Sequence, residues 1–151
     1  MELSLNLNTI EIGSITIDMY LPDPEAVRRN YMAEQIRNPE SPFPFWAKIW
    51  PSALAMAEYL QRNQDLLSGK KVLEIAAGLG LPSIIAAMYA EQVCCSDYMQ
   101  DAVNVAKKNM VLNQLTNVDC RVYNWRHLPD DLSVDILLLS DVNYEPAEFA
   151  Q

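Results

Sequence analysis

The sequence predicts an α/β fold, a parallel and doubly wound sheet preceded by an N-terminal β-hairpin and helix arm. Three observations carry that prediction. From Trp50 onward, short apolar runs alternate with helical patterns. The runs are apolar at nearly every position, as in parallel strands covered on both faces. A glycine-bearing bend, Gly78-Leu79-Gly80, joins the first of these strands to the helix that follows it, which is the usual entry to a ligand crevice in such sheets. Half of the 151 residues are hydrophobic and 21% are charged, a balance that suits one globular domain with one core.

The elements follow in chain order. Leu3, Leu5 and Leu7 alternate with polar residues, then Ile10 and Ile12; beyond Gly13 come Ile15, Ile17 and Met19 at the same period of two. This predicts a hairpin turning near Gly13-Ser14. Asp23-Pro24 reads as an N-cap and an N1 proline, so a helix is expected over 25–37, stopped by Asn38-Pro39. Pro42-Phe43-Pro44-Phe45 cannot be helical and forms an extended connection. Pro51 then opens a helix that reaches Asn63, with Leu54, Met56, Ala57 and Leu60 at helical spacing. Strands are predicted at 72–76, 93–96, 118–123 and 134–140, with helices at 82–89 and 99–113. The division expected is an arm over 1–45 and the α/β part over 46–151. The chain stops at Gln151, soon after the fourth strand, where a doubly wound sheet ordinarily continues. The expectation is therefore a domain truncated after its fourth strand, whose apolar edge invites pairing and self-association.

Composition narrows the partners. Eleven basic residues against twenty acidic give a net charge of -9, which repels phosphate backbones and disfavours nucleic acid. A cationic substrate suits that field better. No apolar run approaches the ~20 residues needed to span a bilayer, and Met1-Glu2-Leu3-Ser4 lacks the basic start of a secretory signal; no membrane association and a cytoplasmic location are expected. Cys94, Cys95 and Cys120 do not make a disulfide framework and read as reduced packing residues. His127 is the only histidine, so no metal site is expected.

The chemistry concentrates in Val72-Leu73-Glu74-Ile75-Ala76-Ala77-Gly78-Leu79-Gly80-Leu81-Pro82. Gly78 and Gly80 let the backbone turn sharply and admit a ligand closely; a bend with no ligand is the alternative. Asp97 ends the second strand 17 positions after Gly80, close to the spacing at which an acid meets ribose hydroxyls, though it would also serve as a helix N-cap. Glu74 is a carboxylate inside an apolar strand and needs a partner, either Lys48 or another protein donor, or indirectly a bound amine. A dinucleotide would place its pyrophosphate on the next helix's N–H groups. Pro82 removes one of those donors and Ser83 replaces the third glycine of G-x-G-x-x-G, so the pattern leans toward a cofactor without phosphate.

Glu74 to Pro82 resembles motif I of the class I methyltransferases. The longer stretch, from Phe45-Trp46-Ala47-Lys48-Ile49-Trp50 to Ser140-Asp141-Val142-Asn143-Tyr144, resembles the lysine methyltransferase-like family, also labelled nicotinamide N-methyltransferase-like. The resemblance covers about two thirds of the chain and speaks for fold and cofactor more than for substrate. It implies a Rossmann-like class I methyltransferase sheet using S-adenosyl-L-methionine (SAM) to N-methylate a protein lysine or a small amine. It also implies that Glu74, Ala76, Gly78 and Gly80 line the methionine end of the cofactor and that Asp97 accepts from the ribose hydroxyls. Trp125 would stack on adenine, Trp50 would close the pocket from the arm side, and Asp141 and Tyr144 would orient the acceptor nitrogen as catalytic residues.

Three departures stand out: Ala76 in place of the family's glycine, Asn124 before Trp125 where an aspartate is common, and the absent back of the domain. Plainer readings stay open beside these roles. Trp125 is also readable as a packing aromatic, Trp46 and Trp50 as a staple of the arm, Asp141 as a cap, Tyr144 as packing and His127 as a surface loop residue. Two other functions remain as rivals, a nicotinamide-dinucleotide-dependent oxidoreductase and a non-catalytic association module.

Overall fold

The computed structural model describes residues 3–140, which form a hairpin and a four-stranded sheet with helices packed around them. Strands β1 (Leu5–Ile12) and β2 (Ile15–Pro22) pair antiparallel in full register, from Leu5 opposite Pro22 to Ile12 opposite Ile15. Gly13 takes the left-handed conformation (φ 56°) in the two-residue turn, as such turns require. Helix α1 (Pro24–Arg37) starts where the sequence placed it, because the Asp23 side chain accepts the Ala26 N–H at 2.7 Å and Pro24 needs no donor partner at N1. Of its 14 residues only Ala26 is buried, so α1 lies on the surface and adds little to the core.

Helix α2 (Pro51–Arg62) buries Ala57 and Leu60. Then come strand β3 (Lys71–Ile75), helix α3 (Leu81–Ala87), strand β4 (Gln92–Asp97), helix α4 (Gln100–Leu112) and strands β5 (Val118–Val122) and β6 (Ile136–Leu139). All neighbouring strands of this sheet run parallel, in the order β5-β4-β3-β6. The order reverses beside β3, which is the switch point where such sheets open a crevice at their carboxyl ends. Asp135 fixes the register of β6. Its side chain accepts the Lys71 N–H, and its own N–H donates to the Lys71 carbonyl, each at 2.8 Å.

The core lies between α3, α4 and the sheet face that carries Val72, Glu74, Val93 and Cys95. All seven residues of α3 are buried, and α4 buries Ala102, Val103, Val105, Ala106, Asn109 and Met110, the stripe expected at helical period. Ile12, Ile17 and Met19 of the hairpin are fully buried in the same core. Of the two covered faces expected, this one is covered by α3 and α4. On the other side, among the described residues, Leu137 and Leu139 of β6 remain 49% and 44% exposed. Among the described residues β6 has a neighbour on one flank only, β3.

Candidate functional site

The carboxyl ends of all four parallel strands meet in one cavity of about 600 Å³, a size that suits a cofactor-sized ligand. β3 contributes Ala76 to Leu79, β4 contributes Asp97 and Tyr98, β5 contributes Tyr123 to Arg126, and β6 contributes Ser140. The facing wall is the 45–50 segment, where a short 3-10 turn (Phe45–Ala47) leads into α2. Strand order alone accounts for this convergence, since parallel strands all point the same end at the crevice.

The bend after β3 is held by its own backbone. Ala77 N–H donates to the Ser96 carbonyl at 2.9 Å and Gly80 N–H donates to the Ala77 carbonyl at 2.8 Å. Three of its residues are left-handed: Ala76 (φ 54°), Gly78 (φ 55°) and Gly80 (φ 80°). Only glycine adopts this region without steric penalty. Ala76 therefore holds a conformation that suits glycine, the residue that the resemblance to motif I implies at this position.

The two glycines do different work. Gly78 lines the cavity, and a Cβ there would lie 3.3 Å from the Trp46 carbonyl oxygen. Gly80 faces away from it, and its Cβ would meet Met110 Cε at 2.8 Å and Cys95 Sγ at 3.2 Å. Gly80 thus suits its left-handed backbone and the close packing of the bend on α4 rather than the approach of a ligand.

Asp97 is the electrostatic centre of the site. Its Oδ2 accepts the Gly78 N–H and its Oδ1 accepts the Met99 N–H, both at 2.9 Å. Helix α4 is capped by Met99, so Asp97 ties the bend to the end of β4 rather than serving as the cap residue. A carboxylate has about four lone-pair sites, so each oxygen keeps capacity for a further donor in the cavity. Burial pushes the carboxyl up from its ordinary value, partly offset by the N–H groups of Met99 and Gly78.

Glu74 sits elsewhere. It is completely buried beneath the bend, where the Ser83 hydroxyl donates to its Oε2 at 2.5 Å, and it does not line the cavity. Its Oε1 has no hydrogen-bond partner. Burial drives its carboxyl up to about 8, against the opposing pull of Ser83, so it carries a proton at neutral pH. Ser83, not Lys48, is the protein donor that the strand carboxylate required. Lys48 instead lies over Trp50, its Nζ 3.5 Å from the ring centroid.

Trp125 opens the 3-10 turn Trp125–His127 after β5 and lines the cavity, half-buried. Trp50 lines it from the opposite wall, donating its ring N–H to the Phe45 carbonyl at 2.8 Å. Trp46 is buried in the core, as a staple would be, while its backbone abuts Gly78. His127 is exposed, and Cys95 and Cys120 are buried free thiols. Asp141 and Tyr144 lie outside the described residues. Sequence reasoning missed Tyr98 as a cavity residue; the signal was present, since it directly follows the strand-ending acid.

S-adenosylmethionine has a flat purine, a ribose with two vicinal hydroxyls and an amino-acid end, and no phosphate. The cavity offers flat aromatic groups, an anchored carboxylate and a backbone bend. Its α3 start carries Pro82, and its Ser83 is already engaged by Glu74. These residues fit that molecule.

A glycine bend with an acid at the end of the next strand, on a parallel sheet ordered β5-β4-β3-β6, is a Rossmann-like nucleotide-binding arrangement, and the family and relatives that this chain matches assign it to the class I S-adenosylmethionine-dependent methyltransferases. The chain belongs to the lysine methyltransferase family, whose domain is matched by residues 39–151. It is similar to the human histone-arginine methyltransferase METTL23, 36% identical over 107 residues, covering 67% of this chain and 56% of that relative. It is also similar to the electron transfer flavoprotein beta subunit lysine methyltransferase of Danio rerio, 35% identical over 114 residues, covering 73% of this chain and 44% of that relative. The chain spans about half the length of the curated relatives it matches. Among solved structures, the T. thermophilus 16S rRNA methyltransferase RsmC in complex with AdoMet and guanosine shares the fold. It superposes with a TM-score of 0.66 at 18% identity, covering 91% of this chain and 32% of that one. The rival oxidoreductase reading is not favoured by any of these likenesses.

Proposed function

We propose that this chain forms the cofactor-binding part of a protein methyltransferase that modifies a side-chain nitrogen. The observation that carries the reading is the anchored carboxylate of Asp97, held 2.9 Å from the Gly78 N–H at the mouth of a cavity shared by four strand ends. When bound, S-adenosylmethionine supplies an electrophilic methyl group on a sulfonium. Asp97 grips the ribose with charge-assisted hydrogen bonds, Trp125 and Tyr98 offer faces to the purine, and the backbone at Ala76–Gly78 borders the amino-acid end. Trp50 closes the wall on the arm side. In this reading Glu74 and Gly80 shape the bend from behind rather than touching the cofactor.

The acceptor side of the reading rests on the family and on charge. The named relatives act on a histone arginine and on a flavoprotein lysine, and the net charge of -9 favours a cationic partner over nucleic acid or a membrane. No described helix is long and apolar enough to cross a membrane. The family resemblance assigns Asp141 and Tyr144, outside the described residues, the task of orienting the incoming amine, where alignment supplies much of the rate. The division into an arm over 1–45 and a cofactor-binding part over 46–151, and a cytoplasmic location, belong to the same reading.

Calorimetry with S-adenosylhomocysteine tests the cofactor claim, and absence of binding would end it. Transfer of labelled methyl into a cell extract tests the acceptor; label confined to small molecules would remove the protein substrate. A second reading, self-association through β6, is favoured by the exposed Leu137 and Leu139; light scattering that finds only monomer would dismiss it.

A further inference from the structure

Asn109 lies in α4 with no exposed surface and touches two segments remote in sequence. Its Oδ1 accepts the Tyr20 backbone N–H at 2.7 Å, and its Nδ2 donates to the Tyr20 carbonyl at 3.3 Å and to the Leu79 carbonyl at 3.1 Å. One carboxamide therefore joins the hairpin, α4 and the bend. Its neighbours on the helix stripe, Val105, Ala106 and Met110, are apolar, and an amide among them is costly unless its polar atoms are satisfied. Here both the oxygen and the nitrogen are. An amide alone supplies an acceptor and two donors in one plane, which is what this three-way junction uses.

Leu79 lies between Gly78, which lines the cavity, and Gly80, which packs on Met110. The Leu79 carbonyl and the Gly80 N–H share one peptide plane: the N–H side is held by the Ala77 carbonyl and the carbonyl side by Asn109, which fixes the entry to left-handed Gly80. Asn109 itself does not border the cavity. We propose that Asn109 is a positioning residue for the cofactor bend, and that through it the N-terminal hairpin sets the shape of that bend. The proposal rests on the reading of the bend as the S-adenosylmethionine site, but its first test needs no ligand. Asn113 provides the control: its Nδ2 donates to the Asp18 and Asn109 carbonyls, both at 2.8 Å, tying hairpin to helix without reaching the bend.

Amide hydrogen exchange is measured on the full chain without ligand. In Asn109→Ala the Gly80 amide is expected to exchange about tenfold faster, the equivalent of one buried hydrogen bond lost; in Asn113→Ala the hairpin loosens and Gly80 does not. Equal acceleration in both variants, or none in the first, overturns the proposal. Should Asn109→Ala fail to fold, Asn109→Leu carries the test. That side chain has nearly the same shape, fills the same space and has no polar atom to offer Tyr20 or Leu79. Faster exchange at Gly80 is expected there too, and unchanged Gly80 protection overturns the idea. Calorimetry with S-adenosylhomocysteine separates the two readings. No binding by the unsubstituted chain removes the cofactor reading and leaves the exchange result standing, whereas equal affinity with and without Asn109 refutes the coupling to the site.

Discussion

The hydroxyl of Ser83 and the carboxyl of Glu74 meet at 2.5 Å beneath the glycine bend, with Glu74 wholly buried and its second oxygen unpartnered. A side chain that reads in sequence as a ligand contact is thus a strut between β3 and α3. The serine that displaces the third glycine of a dinucleotide motif is its partner.

That pair makes stability depend on pH in a defined direction. Glu74 is held at about 8 in the folded chain against 4.5 for an ordinary glutamate, so the folded state binds the extra proton between those values. Its contribution to stability is fully present below 4.5, declines as pH rises toward 8 and is then lost, with a slope of up to about 1.4 kcal/mol per pH unit. Glu74→Gln keeps the shape without the titration. Urea midpoints of the variant and the parent should therefore diverge in favour of the variant as pH rises, and parallel curves would show that Glu74 does not titrate in this window.

Asp97→Asn removes the charge that faces the cavity and turns an N–H toward one of the two backbone donors, Gly78 or Met99. Affinity for S-adenosylhomocysteine is expected to fall by roughly 10- to 100-fold, the range for losing charge-assisted hydrogen bonds. Calorimetry reads this directly, and an unchanged affinity would take the ribose away from Asp97.

Gly78→Ala and Gly80→Ala separate binding from packing. Each puts a side chain into a left-handed position, costing about 1–2 kcal/mol. Each new Cβ also meets a neighbour, the Met110 methyl and Cys95 Sγ at Gly80 and the Trp46 backbone carbonyl at Gly78, so both variants should lower the melting temperature. Gly78→Ala should lose more affinity per unit of stability, because Gly78 borders the cavity. Thermal melts with and without S-adenosylhomocysteine give both quantities, and the reverse ranking would invert the assignment.

Trp125→Ala is expected to weaken ligand binding by about threefold to tenfold, as an aromatic stack of 0.5–1.5 kcal/mol requires, while Trp125→Phe retains most of it. If Trp125→Ala binds normally and Tyr98→Ala does not, the purine lies on Tyr98, an aromatic that follows Asp97 directly and lines the same cavity.

Much of the scaffold was legible in the chain. The hairpin turn at Gly13, the cap at Asp23, the proline that opens α2 and the order of strands and helices all follow from local rules, and each appears within a few residues of its expected place. The site was legible in part. Ala76, Gly78, Asp97, Trp50 and Trp125 do border one cavity, because strand ends and the turns after them are local features. Glu74 and Gly80 do not, since a residue's direction at a strand end or bend depends on what packs behind it, here Ser83 and Met110.

By itself the sequence determined the period of each element, the glycine bend and the acid that follows it, because backbone sterics and hydrophobic spacing act over a few residues. Only the tertiary structure decided that Asn109 of α4 would join Tyr20 to Leu79 and that Glu74 would turn inward to Ser83. Those pairings satisfy buried polar groups, and where a buried group finds its partner is fixed by packing across the whole core rather than by its neighbours along the chain.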